Sequence, residues 1–245
     1  MGKAIRLDKF LADAGEGTRS EVKKYIQKGM VKINELPAKK PEQKVDPEKD
    51  EVSLGDRIIR QADEYVYYLL HKPAGYVSAT EDTRDHTVLE LVPADARRNL
   101  FPVGRLDKDT EGLLLITDDG ALAHRLLSPK MHVDKTYFAR VSGLVTQDDA
   151  QRMEEGVDIG EEKLTLPAKL EIVRTWENEE GAFSEILLTI HEGKFHQVKR
   201  MMEAVGKKVV YLKRLSMGSL TLPKDLEKGA FRMLTEQEIA ELKRI

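Results

Sequence analysis

The chain has no cysteine, few histidines and no apolar run near the roughly 18 residues that a membrane-spanning helix needs. Without cysteine, disulfides, thiol chemistry and cysteine metal sites are excluded. The six histidines show no HExxH-type spacing, which argues against a zinc site. No signal-type apolar stretch opens the sequence, so a cytoplasmic protein without membrane contact is expected. What is present is a folding composition, 40% apolar and 34% charged over 245 residues. That length accommodates one large domain, or one of about 180 residues with a small companion. The net charge of −3 gives no sign of a polyanionic partner, but its distribution does. Residues 1–40 carry ten Lys/Arg against five Asp/Glu, and residues 191–214 carry seven against two. Two basic islands on an acidic chain are candidate phosphate contacts, although scattered lysines on helices are usually a solvated face.

The most informative stretch is Gly104-Arg105-Leu106-Asp107-Lys108-Asp109-Thr110-Glu111-Gly112, followed at once by Leu113-Leu114-Leu115-Ile116-Thr117. The apolar run is short and ends at Asp118-Asp119-Gly120, which reads as a turn, so a buried strand carrying a polar loop is predicted. A solvated turn is the plain alternative. A calcium loop is the other, since Asp107, Asp109, Glu111, Gly112 and Asp118 fall at positions one, three, five, six and twelve of an EF-hand. That match fails where the twelfth position wants Glu, the ninth holds Leu115, and Pro102 and Gly104 interrupt any entering helix.

Gly-Arg-Leu-Asp-x-Asp-Thr-x-Gly-Leu-Leu resembles the catalytic motif of pseudouridine synthases, specifically the RsuA family that acts on ribosomal RNA. The N-terminal stretch extends the resemblance. Leu7, Phe10, Leu11 and Ala14 have helical spacing ended by Gly15, and Thr18-x-x-Glu21 is a capping box for a second helix. Val22, Tyr25 and Ile26 form its inner face and Gly29 its end. Met30 to Ile33 reads as a short strand and Asn34-Glu35 as a turn. This order is similar to the ribosomal-protein-type RNA-binding domain that precedes the catalytic domain in that family. The family's turn is commonly Asn-Gly, so Glu35 is a departure. Lys9, Arg19, Lys23, Lys24 and Lys28 are the candidate phosphate contacts. Residues 37–57 read as extended hairpin and linker with a weak strand at Val52–Leu54. The boundary is expected near Gln61, giving an RNA-binding domain over 1–61 and a catalytic domain over 62–245.

The second part opens with an apolar strand from Tyr65 into His71-Lys72-Pro73-Ala74-Gly75, a turn that resembles the family's first motif. Its expected work is structural, Pro fixing the turn and Gly permitting the backbone. Thr80 to His86 reads as a polar loop. Ala121–Leu127 is predicted helical, Lys135-Thr136-Tyr137 leads a strand to Val141, and Thr146 caps a helix ending at Gly156. Leu164–Ala168, residues 169–174 and Phe183–Ile190 read as sheet. Val198, Met201, Met202 and Val205 mark a helix closed by Gly206, with His196, Lys199, Arg200 and Glu203 on a different face. Leu234-Thr235-Glu236 opens a final capped helix. The expected class is α+β: a small RNA-binding domain, then a synthase domain whose mixed, mainly antiparallel sheet is flanked by helices.

The resemblance implies isomerisation of uridine within RNA, a reaction with no redox change or net hydrolysis, so no cofactor and no metal are expected. It makes Asp107 the essential carboxylate, a residue type ionised at neutral pH from a pKa near ~4. Covalent addition and sugar-proton abstraction both stay open. Lys199 is the implied partner of that carboxylate, in a place where many related synthases carry Arg. Tyr137 is expected to stack on the uracil. Arg105 is expected to hold the target nucleotide out of the RNA stack, and Lys194, His196 and Arg200 to contact RNA. The expected partner is ribosomal RNA, naked or in an assembling small-subunit particle. Gly193 to Met201 and Leu166-Pro167-Ala168 look closest to the 16S enzyme, with 23S rRNA the alternative. The rival from another class is a non-catalytic assembly factor on a dead synthase fold, which the intact Arg-Leu-Asp disfavours. With no coiled coil or exposed sticky edge in the pattern, a monomer is expected.

Overall fold

A computed structural model of the chain describes residues 4–47, 49–59, 65–93 and 99–244. The chain divides into two compact units, Met1–Val66 with Pro93–Phe101, and Tyr67–Val92 with Pro102–Ile245. The boundary expected near Gln61 lies outside the described residues. That residues 93–101 belong with the first unit was not legible in the sequence. There the Asn99 side-chain amide donates to the Ala12 carbonyl at 3.0 Å.

In the first unit, helices Leu7–Asp13 and Arg19–Gln27 bury Leu7, Phe10, Leu11, Val22 and Ile26 in one core. Thr18 and Glu21 close the predicted capping box, the Glu21 carboxylate accepting from Thr18 N at 2.7 Å. An antiparallel sheet runs in the order Leu36–Pro37, Val31–Ile33, Val52–Leu54, Arg57–Ile59, and Ile5–Arg6 pairs separately with Lys44–Val45. The linker reading of residues 37–57 is therefore corrected: Ala38, Val45 and Val52 belong to the core, as does Ile59 just beyond. Strands of two or three residues bury two side chains at most, too few for alternation to show.

The Asn34-Glu35 turn keeps its hairpin. Both residues are left-handed, at φ 49° and 66°, and Ile33 still pairs with Leu36. This is the two-residue turn that favours Asn-Gly. Asn34 is anchored, donating to Asp50 Oδ1 and accepting from Glu51 N, both at 2.8 Å. Glu35 is exposed and bears the cost of the left-handed backbone alone. Glu35→Gly should stabilise the protein by about 1 kcal/mol, read as a higher denaturant midpoint of the full chain, and an unchanged or lower midpoint would contradict the strain.

In the second unit the main sheet runs Lys169–Asn178, Gly181–Ile190, Lys135–Ser142, Lys208–Met217, Glu111–Thr117, Tyr67–Lys72, Phe231–Met233. Only the Lys208–Met217 and Glu111–Thr117 pairing along this path is parallel. Helices Gly120–Leu127, Gln147–Glu155, Gln197–Ala204 and Glu236–Lys243 complete the unit. Every residue of Glu111–Thr117 is buried, as a strand at the centre of a covered sheet requires. Gly112 stands beside Arg214 in the parallel register, and a Cβ there would collide with the Arg214 backbone. Glycine is what lets the polar loop enter the sheet at this point.

Four readings of this part need correction. The long strand Lys208–Met217 lies where only a basic island was expected. Leu164–Ala168 is not sheet; its backbone is tied instead to Val157 O, Met153 O and the Glu192 carboxylate. Asp119 is more than a turn residue: one oxygen accepts from Ala121 N and Leu122 N to cap a helix, and the other accepts from Tyr67 OH at 2.8 Å. His196 is not on the helix wheel, since it precedes Gln197–Ala204 in a left-handed conformation at φ 49°. Among the described residues no helix is long and apolar enough to cross a membrane.

Candidate active site

The loop leading into Glu111–Thr117 is held from below by a single buried ammonium. Lys72 Nζ donates to the carbonyls of Thr110 at 2.8 Å, Asp107 at 3.0 Å, Pro73 at 3.1 Å and Lys108 at 3.3 Å. Lys72 is wholly buried, and that burial pushes its ammonium down to about 8, with Asp109 and Asp107 opposing the shift. Gly75 N adds a bond to Lys108 O at 2.7 Å, and Ser78 Oγ both donates to Leu106 O and accepts from Leu106 N. The Lys-Pro-x-Gly turn thus does more than bend the chain. Its lysine shapes the loop.

The loop presents Asp107 to two cation-forming side chains from the start of the Gln197–Ala204 helix. Lys199 Nζ lies 3.0 Å from Asp107 Oδ2 and 2.7 Å from Asp109 Oδ1, and His196 Nε2 lies 3.5 Å from Asp107 Oδ1. Burial opposes the charges of Lys199 and Asp109. Their mutual hydrogen bond and attraction outweigh it, raising the one and lowering the other. His196 is stacked on Phe195, with ring centroids 3.8 Å apart and planes within 19°. Asp109 spans to Lys199, and the buried Thr110 hydroxyl has no hydrogen-bond partner among the described residues.

Asp107, Thr110, Phe195 and His196 line a cavity of about 650 Å³, which also takes in Arg105, Lys135, Tyr137, Lys194 and Arg214; Lys199 and Asp109 stand behind Asp107 and do not line it. Tyr137 is buried in its strand with Arg214 as its register partner on the neighbouring strand. Arg105 is exposed at the cavity and makes no hydrogen bond or ion pair among the described residues. Lys194 lines the cavity too, but its Nζ is held by Lys163 O at 3.3 Å and Leu164 O at 3.4 Å. Arg200 is not brought to the cavity. Its guanidinium binds Glu161 at 2.8 Å, Phe195 O at 3.1 Å and Ile159 O. In the first unit Lys9 pairs with Asp13 at 2.6 Å, while Arg19, Lys24 and Lys28 are exposed and Lys23 is half-buried.

With this geometry in hand, the likenesses to known proteins become specific. The RNA pseudouridylate synthase family matches residues 66–204, and the S4 domain family matches residues 5–52. An RNA pseudouridine synthase of Bacillus subtilis is 48% identical over 96% of this chain and 97% of its own length. The chain belongs to the RNA pseudouridylate synthase family. It is an isomerase acting on RNA, with an S4 domain in front. The synthase is also 44% identical to ribosomal small subunit pseudouridine synthase A of Vibrio vulnificus, over 96% of this chain and 98% of that one. The same enzyme of Escherichia coli is 39% identical over 96% and 99%. A solved pseudouridylate synthase, 39% identical, superimposes with a TM-score of 0.68 over 97% of this chain and 99% of its own.

Two residues at the synthase's cavity escaped the sequence reading. Arg214 is buried, although the charge count placed it in a basic island. Lys135 is buried as well, and its burial pushes it down to about 8. The available signal was position: Arg214 ends a β-type run from Val209, and Lys135 alternates with Tyr137, Ala139 and Val141, all buried. Lys72 could have been found in the same way, as a cation closing a buried strand. Lys72→Met should leave its four carbonyls without their donor, destabilising the second unit by about 3 kcal/mol and lowering turnover more than RNA affinity. An unfolding midpoint and turnover both like wild type would contradict the role.

Proposed function

We propose that this synthase converts uridine to pseudouridine in ribosomal RNA, at a site in 16S rRNA, with Asp107 as the essential carboxylate. The observation that carries the reading is the Asp107 carboxylate in a cavity of small-ligand size, 3.0 Å from Lys199 Nζ and backed by a loop held on Lys72. In the reaction the N1–C1′ bond breaks, the uracil turns, and C5 bonds to C1′. The proton leaves C5 and N1 acquires one, so atoms balance without oxidant or water. Asp107 acts either by adding to the sugar carbon or by removing a sugar proton. Lys199 is the cation paired with that carboxylate, at 3.0 Å.

Tyr137 packs on the uracil ring. Arg105, free at the cavity, takes the place of the extruded nucleotide, since the anomeric carbon is reached only once the base leaves the stack. Lys194 and His196 contact RNA near the cavity. Arg200 supports them through its ties to Phe195 O and the 159–161 loop. The front domain, assigned to residues 1–61 with the catalytic domain over 62–245, binds rRNA phosphates through Lys9, Arg19, Lys23, Lys24 and Lys28. The relatives named for the small ribosomal subunit support 16S over 23S rRNA. The protein works in the cytoplasm as a monomer, on naked rRNA or an assembling particle.

The test is Asp107→Asn, nearly isosteric and uncharged. Its turnover on an rRNA substrate should fall about a thousandfold or more, with RNA affinity within about threefold of wild type. Retained turnover would sink the assignment.

A further inference from the structure

Two of the cations at the cavity are buried and have no counter-charge among the described residues. Arg214 is 2% exposed; its Nε donates to Leu113 O at 2.8 Å, and its Nη2 is buried without a hydrogen-bond partner among the described residues. Lys135 is 7% exposed, and its Nζ donates to Val133 O at 2.9 Å. Neither forms an ion pair with a carboxylate among the described residues. Elsewhere in this unit two buried glutamates are paired with cations: Glu185 has Arg140 and Arg174, and Glu111 has Lys228. Keeping two cations buried and short of partners is costly unless an anion or a strong acceptor arrives at them. Both line the same cavity as Asp107, and Arg214 is the cross-strand neighbour of Tyr137.

An RNA phosphate is a poor fit, because the sugar–phosphate chain stays outside when a base is extruded inward. The base itself develops the charge. When the N1–C1′ bond breaks, its electron pair stays on the uracil and spreads from N1 over O2 and O4. We propose that Arg214 and Lys135 form a cationic floor that donates hydrogen bonds to the departing uracil and stabilises this anion, making both catalytic residues. This rests on the reading of the cavity as a pseudouridine synthase site. After rotation the pair returns through C5 to form the C5–C1′ bond, so the two cations donate hydrogen bonds only and lose no proton. Such fixed donors, aimed where charge develops in a site shielded from water, are typically worth about 10²–10³ in rate each.

The experiment uses the full chain and an rRNA transcript that wild type modifies, with uridine or 5-fluorouridine at the target. Loss of the original nucleoside is followed in single turnovers, and the Kd for RNA is measured alongside. Fluorine stabilises the uracil anion, so a 5-fluorouracil leaving group needs the floor less. Arg214→Gln should lower the single-turnover rate on uridine RNA about a hundredfold. The loss on 5-fluorouridine RNA should be at least about tenfold smaller, with Kd within about threefold of wild type and partial recovery in Arg214→Lys. An equal loss on both substrates would make the residue architectural and overturn the proposal. So would a raised Kd with an unchanged saturated rate, which would assign the floor to a phosphate. If Arg214→Gln fails to fold by circular dichroism, Lys135→Gln undergoes the same comparison under the same criteria. Wild type inactive on every rRNA tested would reject the functional reading itself, whereas active wild type with unimpaired variants rejects only the floor.

Discussion

Four backbone carbonyls converge on the Lys72 ammonium, and the geometry around Asp107 follows from that convergence. A loop this rich in charge would ordinarily be left to solvent. Here the buried lysine closes one strand and gathers the carbonyls of the loop that opens the next, while Gly112 lets that loop arrive against the Arg214 backbone. Side chains of Asp107 and Asp109 are thereby directed outward to Lys199. A site built on the ends of adjoining strands is held more rigidly than one on a free loop.

The charges of the second unit differ in how they are matched. Beside the cavity, Lys199 is matched with Asp107 and Asp109. Glu111 is matched too, by Lys228 and by Tyr211, whose hydroxyl burial and Glu111 together push well above its ordinary value. Lys135 and Arg214, both buried, have carbonyls for partners and no acid among the described residues. A cavity with a paired carboxylate and two buried cations that meet no acid among the described residues is suited to a neutral substrate that becomes negative during reaction.

Much of this was legible in the sequence because the relevant residues are adjacent. The capping boxes at Thr18, Thr146 and Thr235, the buried strand after Gly112, and the spacing of Val198, Met201 and Met202 all encode local physics. The ends of the motif were legible as a loop on a strand. What joins distant segments was not. Nothing local tells that Lys72 reaches four carbonyls, that Arg214 lies beside Gly112, or that residues 93–101 return to the first unit. Charge counting also misled, because Arg214 and Lys135 count as surface cations until their strands are seen to be covered. Short strands such as Lys44–Val45 were missed because two residues carry no period.

The proposed work of this cavity is to isomerise uridine in ribosomal RNA. Mapping pseudouridine across all rRNA from cells lacking the protein, with and without restored wild type, tests it most directly. One 16S pseudouridine should be lost and should return on complementation. A 16S and 23S map unchanged by the deletion, together with no activity of the purified protein on rRNA, would contradict it.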